Sequence, residues 1–481
     1  MLDSNVVFRL DGLREKWLHD RPAAQALVAR GVGSADAAAG LCLVTGEQAP
    51  IARLHPSIKG VRGAQSSGAA IVSFNQSSFA SYGKEQGDNA PVSEFATFAY
   101  TTALNALLAS NDHRVQIGDA SVVFWAEPGE GEEEGAKAGE SLFARMCSGE
   151  ELAPDDKAVD EDLKSKLAGI AKGRASNDLR IRHDMPFYVL GLSPNAARIS
   201  VRFWFETTLA DLAKRLLQHF DDLWLEPAPW RKGKEPSVRS LVNQLAPMRI
   251  DRDGRLKIIF DQAPDHLIGE LVRAVLSGSE YPYAILPMLL QRLKADRIVT
   301  GLRVALIKAV LARRERILRR GGDQVAEETK MVTDQFADDI GRKLGRLFAL
   351  YEKAQDACFD ELNSGLRDKY YASAMATPQY VFHAIDCNYQ HHLSKMRKGR
   401  NLSDWIMKHK VHEYYKRYAG WLDREIGALN AEIGAFPMQL TNAQQGQFVI
   451  GYYQQKYERK TQQQDAESNQ TASDEGTGEL K

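Results

Sequence analysis

Beyond about residue 265 no segment of the chain reads as a β-strand, whereas ahead of it the clearest segments alternate with a period of two. That change of period constrains the fold more than any other feature. In PFYVLGLSPNAARISVRFWFETT, Ile199, Val201, Phe203 and Phe205 alternate with Ser200, Arg202, Trp204 and Glu206. The pattern predicts a strand with one core face, paired through a turn over 193–197. The helix DLAKRLLQHFDDL follows at once. Strand, turn, strand, helix without repeated βαβ units is an α+β pattern and argues against a doubly wound parallel sheet.

Earlier segments agree. LCLVTGEQAPIARLHP predicts strand, turn, strand, with Gly46 to Pro50 as punctuation, and RVQIGDASVVFWAE predicts a hairpin turning at Gly118 and Asp119. Between them a helix is entered through Pro91 with Ser93 as N-cap. In the rear half, GLRVALIKAVLARRERILRR places Ile307, Val310, Leu311 and Ile317 on one helical face and Arg303, Arg313, Arg316 and Arg320 mostly on the others. Leu344, Leu347, Phe348, Tyr351, Cys358, Phe359 and Leu362 recur at helical spacing, as do Leu422, Ile426, Leu429 and Ile433. The expected organisation is an α+β front over 1–126, an acidic linker or insertion over 127–166, a middle domain over 167–330, a helical bundle over 331–460 and a disordered tail over 461–481.

Charge excludes some roles and localises others. Across 481 residues, 62 Lys plus Arg nearly balance 63 Asp plus Glu, so any nucleic-acid surface must be local. From 127 to 162, 13 acidic residues face three basic ones. Such a block is either a solvated linker or the repelling edge of a nucleic-acid channel. From 341 to 460 the balance reverses, 18 basic against 12 acidic. Its cations gather in SKMRKGR (Lys395, Arg397, Lys398, Arg400) and IMKHKVHEYYKRY (Lys408, Lys410, Lys416, Arg417), with Tyr414, Tyr415 and Tyr418 interleaved. Cations with aromatics hold single strands without regard to sequence, although the same charges can merely solvate a helix.

The stretch 57–89, SIKGVRGAQSSGAAIVSFNQSSFASYGKEQGDN, is chemically the richest: 17 of its 33 residues are Gly, Ser, Asn or Gln. Glycine lets backbone N–H groups approach a phosphate, amides read base edges, and Lys59, Arg62 and Lys84 can neutralise phosphates. Phe74, Phe79 and Tyr82 can wedge or stack. Duplex reading by this segment stands against a bare surface loop. A P-loop is excluded, since Gly83-Lys84 is followed by Glu85 and Ser78 stands where the first glycine belongs. The His183-Asp184 dipeptide lacks the further spaced ligands of a metal-nuclease site, and His391-His392 beside Lys395 reads as a helix-end cation pair. The four cysteines, Cys42, Cys147, Cys358 and Cys387, are far apart and read as reduced buried thiols. No apolar run reaches a membrane span and the start is not a signal peptide, so a soluble cytoplasmic protein without cofactor or metal is expected, and nothing marks an enzyme.

LCLVTGEQAPIARLHPSIKGVRGAQSSGAAIVSFN, SYGKEQGDNAPVSEFATFAYTTALN, QIGDASVVFWAE, VLGLSPNAARISVRFW, LGRLFALYEKAQ, HHLSK and GQFVIGYYQQ together resemble, in order and nearly end to end, the large subunit of the type I-C CRISPR surveillance complex, Cascade. The resemblance implies a non-enzymatic protein that recognises the protospacer-adjacent motif (PAM) in double-stranded DNA, helps open the duplex and supports the displaced strand, while guide RNA reads the remaining sequence. Its implied partners are the target duplex, the displaced single strand, the crRNA-bound backbone subunits, a small subunit and a recruited nuclease-helicase, with no membrane. The rear helices resemble that small subunit, for which Met331 is a candidate internal start. The chain also reads as short at its N-terminus relative to the family. Loop position and side-chain chemistry select Lys59, Arg62, Gln65, Ser66, Ser67, Asn75, Gln76, Tyr82, Lys84, Gln86 and Asn89 for PAM and duplex contact. For the displaced strand they select Lys395, Arg397, Lys398, Arg400, Lys408 and Lys410. The rivals are a metal-dependent nuclease centred on His183 and Asp184, and a purely structural scaffold.

Overall fold

The chain's structure is a computed structural model that describes residue 9 and residues 17–25, 39–148, 184–195, 198–230, 235–320, 339–359, 364–398 and 412–457. Met331, Leu362, Arg400, Lys408, Lys410, His183, positions 149–182 of the acidic stretch and middle domain, and the tail 461–481 lie outside the described residues. Of the four cysteines, Cys42, Cys147 and Cys358 are buried as expected, whereas Cys387 is exposed. The fold is α+β, and it divides into two compact units, Met1–Ala144 with Met185–Thr207, and Arg145–Asp184 with Thr208–Lys481.

In the first unit, β1 (Ala39–Leu41) and β2 (Gln48–Pro50) form an antiparallel ribbon. The helix α1 (Glu94–Ala109) starts where expected, because the Ser93 hydroxyl accepts from the Ala96 N–H at 3.2 Å and so satisfies one of the first-turn donors. Strands β3 (Arg114–Ile117), β4 (Ala120–Ala126), β5 (Pro186–Asn195) and β6 (Arg198–Thr208) make a four-stranded sheet in that order, the first three antiparallel in register. Both faces of β4 are covered. On one, Val123 packs with Leu104 and Leu108 of α1 and with Leu192 and Ile199. On the other, Phe124 lies 4.8 Å ring to ring from Phe143 of α2 (Glu133–Ser148) and 6.4 Å from Phe187. The front of the acidic stretch is therefore a packed helix, with Phe143, Met146 and Cys147 buried. Glu140 accepts from the Ala126 N–H at 2.9 Å, and burial raises its pKa.

The expected alternation of β6 does not hold throughout. Ile199 belongs to the cluster that includes Val123 and Leu192, yet Trp204, five residues on, meets Trp125 and Tyr188, which share that face of β4 and β5. An odd separation cannot keep one face in a regular strand, so the pleat slips by one residue between them. As a result Val201 and Trp204 are 52% and 50% exposed.

The second unit opens with α3 (Leu209–Leu223), capped by the Thr208 hydroxyl accepting from the Asp211 N–H at 3.1 Å. It continues through α4 (Val238–Asn243) and the ribbon β7 (Met248–Ile250) and β8 (Leu256–Ile258). Next come α5 (His266–Ser277), α6 (Ile285–Asp296), α7 (Gly301–Arg320), α8 (Ile340–Asp356), α9 (Leu366–Ala376), α10 (Pro378–Lys398), α11 (His412–Ile433) and a last helix, α12, over 442–457. Leu344, Leu347, Phe348, Tyr351, Leu422, Ile426, Leu429 and Ile433 are buried as their spacing predicts.

The arginines of α7 depart from expectation. Although placed off the apolar face, Arg303 and Arg313 are buried. Arg303 donates to the carbonyls of Gln244, Ala246 and Ile298 at 2.9 to 3.0 Å and to the Asp296 carboxylate at 2.7 Å, so its fork ties a chain turn together. Arg313 lies 4.4 Å from the Tyr281 ring centroid and donates to the Ala274 carbonyl. Arg316 forms a two-pronged pair with Asp222 at 2.5 and 2.7 Å. Gln244, Ala246, Ala274 and Asp222 are remote in sequence, and helical periodicity cannot register them.

Candidate nucleic-acid interface

The segment 57–89 has a built foundation. Ile58 and Ala69 pair as an antiparallel bridge with mutual backbone hydrogen bonds of 2.9 Å, and Ile58, Val61 and Ala69 are buried against Leu104, Leu108 and Val123. Gly68 sits at φ +95°, where a Cβ would lie 2.8 Å from that of Ser57 and 2.9 Å from the Ile58 carbonyl oxygen. The tight return therefore requires glycine. The Lys59 N–H donates to Asn105 Oδ1 at 2.7 Å and the Arg62 N–H to Ser121 Oγ at 2.9 Å. The side chains of Lys59, Arg62, Gln65, Ser66 and Ser67 are all exposed on this pinned hairpin.

A second fastening runs from β6. Arg198 donates to Asn75 Oδ1 at 3.0 Å, and its guanidinium lies 4.2 Å from the centroid of Phe79. Gln76 and Phe79 flank this clamp and are exposed. The tip is a tight turn: Lys84 N–H donates to the Ser81 carbonyl at 2.9 Å, with φ of +53° at Tyr82 and +72° at Gly83. Positive φ at both central residues is the type I′ signature, a position where tyrosine is strained. Tyr82 is fully exposed. Asn89 serves the loop itself: its Oδ1 accepts from Ser81 N–H at 3.1 Å, and its Nδ2 donates to the Lys84 and Gln86 carbonyls at 3.2 and 3.1 Å. Gln86 is half-buried with φ +43°. Lys84 is exposed beside the tip.

Thus the loop brings Lys59, Arg62, Gln65, Ser66 and Ser67 together on one hairpin, and Tyr82 and Lys84 on one turn. Asn75 and Asn89 are committed to holding it. The residues that sequence reasoning missed are Asn105, Ser121 and Arg198. They stand 46, 59 and 123 positions from their partners, so no local signal points to them.

In the second unit, the described cations of SKMRKGR occupy the last turn of α10, where positive charge complements the helix dipole. Lys395 lies 4.0 Å from the Phe359 ring centroid, Arg397 pairs with Asp423 of α11 at 2.7 Å, and Lys398 is exposed. The expected His391-His392 cation pair is not one. His392 is buried edge-on to Phe359 at 5.7 Å, and burial, then Lys395, lowers its pKa. Along α11, Tyr415, Tyr418 and Trp421 form a ladder of rings at 6.4 and 5.5 Å, next to exposed Lys416 and Arg417. Among the described residues no helix is long and apolar enough to cross a membrane.

A protein-family model described as "CRISPR-associated protein (Cas_Csd1)" matches residues 1–460. No curated protein matches the chain.

Proposed function

Because the chain belongs to the Cas_Csd1 family of CRISPR-associated proteins, we propose that it is the large subunit of a type I-C surveillance complex and that its 57–89 loop reads the PAM in double-stranded DNA. The observation that carries the reading is the division of labour within the loop. Ile58, Val61, Ala69 and the backbone at Lys59 and Arg62 are fastened to the core, while the side chains of Lys59, Arg62, Gln65, Lys84 and Tyr82 are exposed. Cations positioned this way contact phosphates and amides contact base edges, so register and sequence reading come from one rigid element. Tyr82, on a strained tip with no packing of its own, is the wedge that enters the stack once the duplex is engaged.

Lys395 and Lys398, with Arg400, Lys408 and Lys410, hold the displaced strand, and guide RNA reads the remainder of the target. The protein acts by binding, without chemistry of its own, alongside crRNA-bound backbone subunits, a small subunit and a recruited nuclease-helicase.

The test is reconstitution with crRNA and partner subunits, followed by duplex binding across salt concentrations. Arg62→Ala and Lys84→Ala should each weaken binding to a PAM duplex and flatten the slope of log K against log salt by about 0.9. Unchanged affinity and slope in both would remove the loop from the interface. Metal-dependent cleavage of single-stranded DNA by the purified chain, lost on His183→Ala, would favour the nuclease reading instead.

A further inference from the structure

The α1 side of the four-stranded sheet carries a second surface, distinct from the exposed side chains of the loop although Trp125 packs against the core cluster that anchors it. Trp125 and Tyr188 are directly opposite each other in the β4–β5 register, with rings 5.3 Å apart and 27° from parallel. Trp204 of β6 lies 5.6 Å from Tyr188 at 28° and 5.7 Å from Trp125. The slip in β6 is what turns Trp204 to this face, and the ring is half exposed. Trp125 and Tyr188 are half-buried and Trp204 is half exposed, so the cluster keeps an aromatic surface in contact with water that a partner can cover.

Charge identifies the occupant. The Tyr188 hydroxyl donates to Glu127 Oε2 at 3.3 Å, and its pKa is raised by desolvation and by the negative charges of Glu127 and Glu206. Both carboxylates are exposed. On β6, Arg202 pairs with Asp119 at 3.0 Å and Arg198 clamps Asn75 and Phe79, and on β3 Arg114 stands opposite Val123 on this face, but the charges that act on Tyr188 itself are the two carboxylates. A base stacked here would bring its phosphates toward two carboxylates, which opposes a nucleic-acid platform. A guanidinium or ammonium gains from ring faces and carboxylates together.

We propose that Trp125, Tyr188 and Trp204, with Glu127 and Glu206, form a receptor for an arginine or lysine side chain presented by a protein partner. The site makes no use of the 57–89 side chains.

Anisotropy of a fluorescein-labelled tetra-arginine peptide titrated with the full chain tests it, with labelled oligothymidine as the parallel probe. The peptide should bind saturably and more weakly as salt rises. Trp204→Ala should abolish that binding, and Glu127→Gln with Glu206→Gln should weaken it about tenfold. Since the carboxylate pair is exposed and its replacement nearly isosteric, the second variant remains informative if the first is poorly folded. Absence of saturable binding overturns the proposal, as does peptide binding that both variants leave unchanged. Oligothymidine binding that is lost in Trp204→Ala and strengthened in the Gln pair would assign the rings to single-stranded nucleic acid instead.

Discussion

Tyr82 combines a left-handed backbone with a side chain that touches nothing. Such a conformation costs a residue other than Gly, Asn or Asp about 1–2 kcal/mol, and here no packing offsets it. Asparagine tolerates the same φ, so Tyr82→Asn should stabilise the chain by about 0.5–1 kcal/mol while reducing duplex opening in the reconstituted complex. Thermal melting reads the first effect, and 2-aminopurine fluorescence beside the PAM the second. A more stable variant that opens DNA normally would dismiss the wedge. His219 makes a different residue-level case. Its Nδ1 lies 2.6 Å from the Tyr281 hydroxyl, and burial, then Arg313, holds its pKa down to about 3 from the usual 6.5. The unfolded chain takes up the proton below about pH 6.5 and the folded chain does not, so this group's stabilisation is complete above that value. It is lost at up to about 1.4 kcal/mol per pH unit on acidification toward pH 3. Denaturation midpoints at pH 7 and pH 5 should therefore differ less in His219→Gln than in the natural chain. Local pattern placed Ile307, Val310 and Leu311 on one helical face and Arg303 and Arg313 mostly on the others, yet both arginines are buried. What buries those two is a set of carbonyls on other turns of the chain, invisible to a helical wheel.

At the scale of elements, helix positions were legible because they rest on periodicity and caps within a few residues, as at Ser93, whereas Gln48 to Pro50, read as turn punctuation, form β2. Helix spacing in the bundle was not legible. The helix α8 approaches α12 so closely that a Cβ at Gly345 would lie 1.9 Å from the Phe448 carbonyl oxygen, one at Gly341 2.0 Å from that of Gln444, and one at Gly451 2.2 Å from that of Arg342. Backbone against backbone leaves nothing flexible to yield. Gly345→Ala should force the helices apart and cost about 3 kcal/mol or more. Gly427, inside α11 with nothing within 4 Å of its added Cβ, provides the control. Gly427→Ala should stabilise by about 1 kcal/mol through helix propensity alone. Chemical denaturation of both variants distinguishes close packing from composition, and equal effects would refute it. The candidate loop was legible by composition, whereas its clamps were not, since Asn105, Ser121 and Arg198 enter from α1, β4 and β6.

For the whole molecule, the two units have distinct cores, and the first is discontinuous in sequence, leaving at residue 144 and returning at 185. Ile58 belongs wholly to the first and Gly345 wholly to the second. If the two cores unfold independently, calorimetry should resolve two transitions rather than one melting temperature. Ile58→Ala, which empties a fully buried site beneath the candidate loop, should cost about 2–5 kcal/mol and lower one calorimetric transition. Gly345→Ala should lower the other. Because Ile58 is buried under the Lys59 and Arg62 hairpin, its truncation should also weaken PAM-duplex binding in the reconstituted complex without removing a charge. The salt slope should stay unchanged while affinity falls, whereas Arg62→Ala should lower both. If both substitutions move both transitions together, folding is coupled across the chain, and loss of DNA binding in Ile58→Ala would then report global destabilisation instead of a loosened loop.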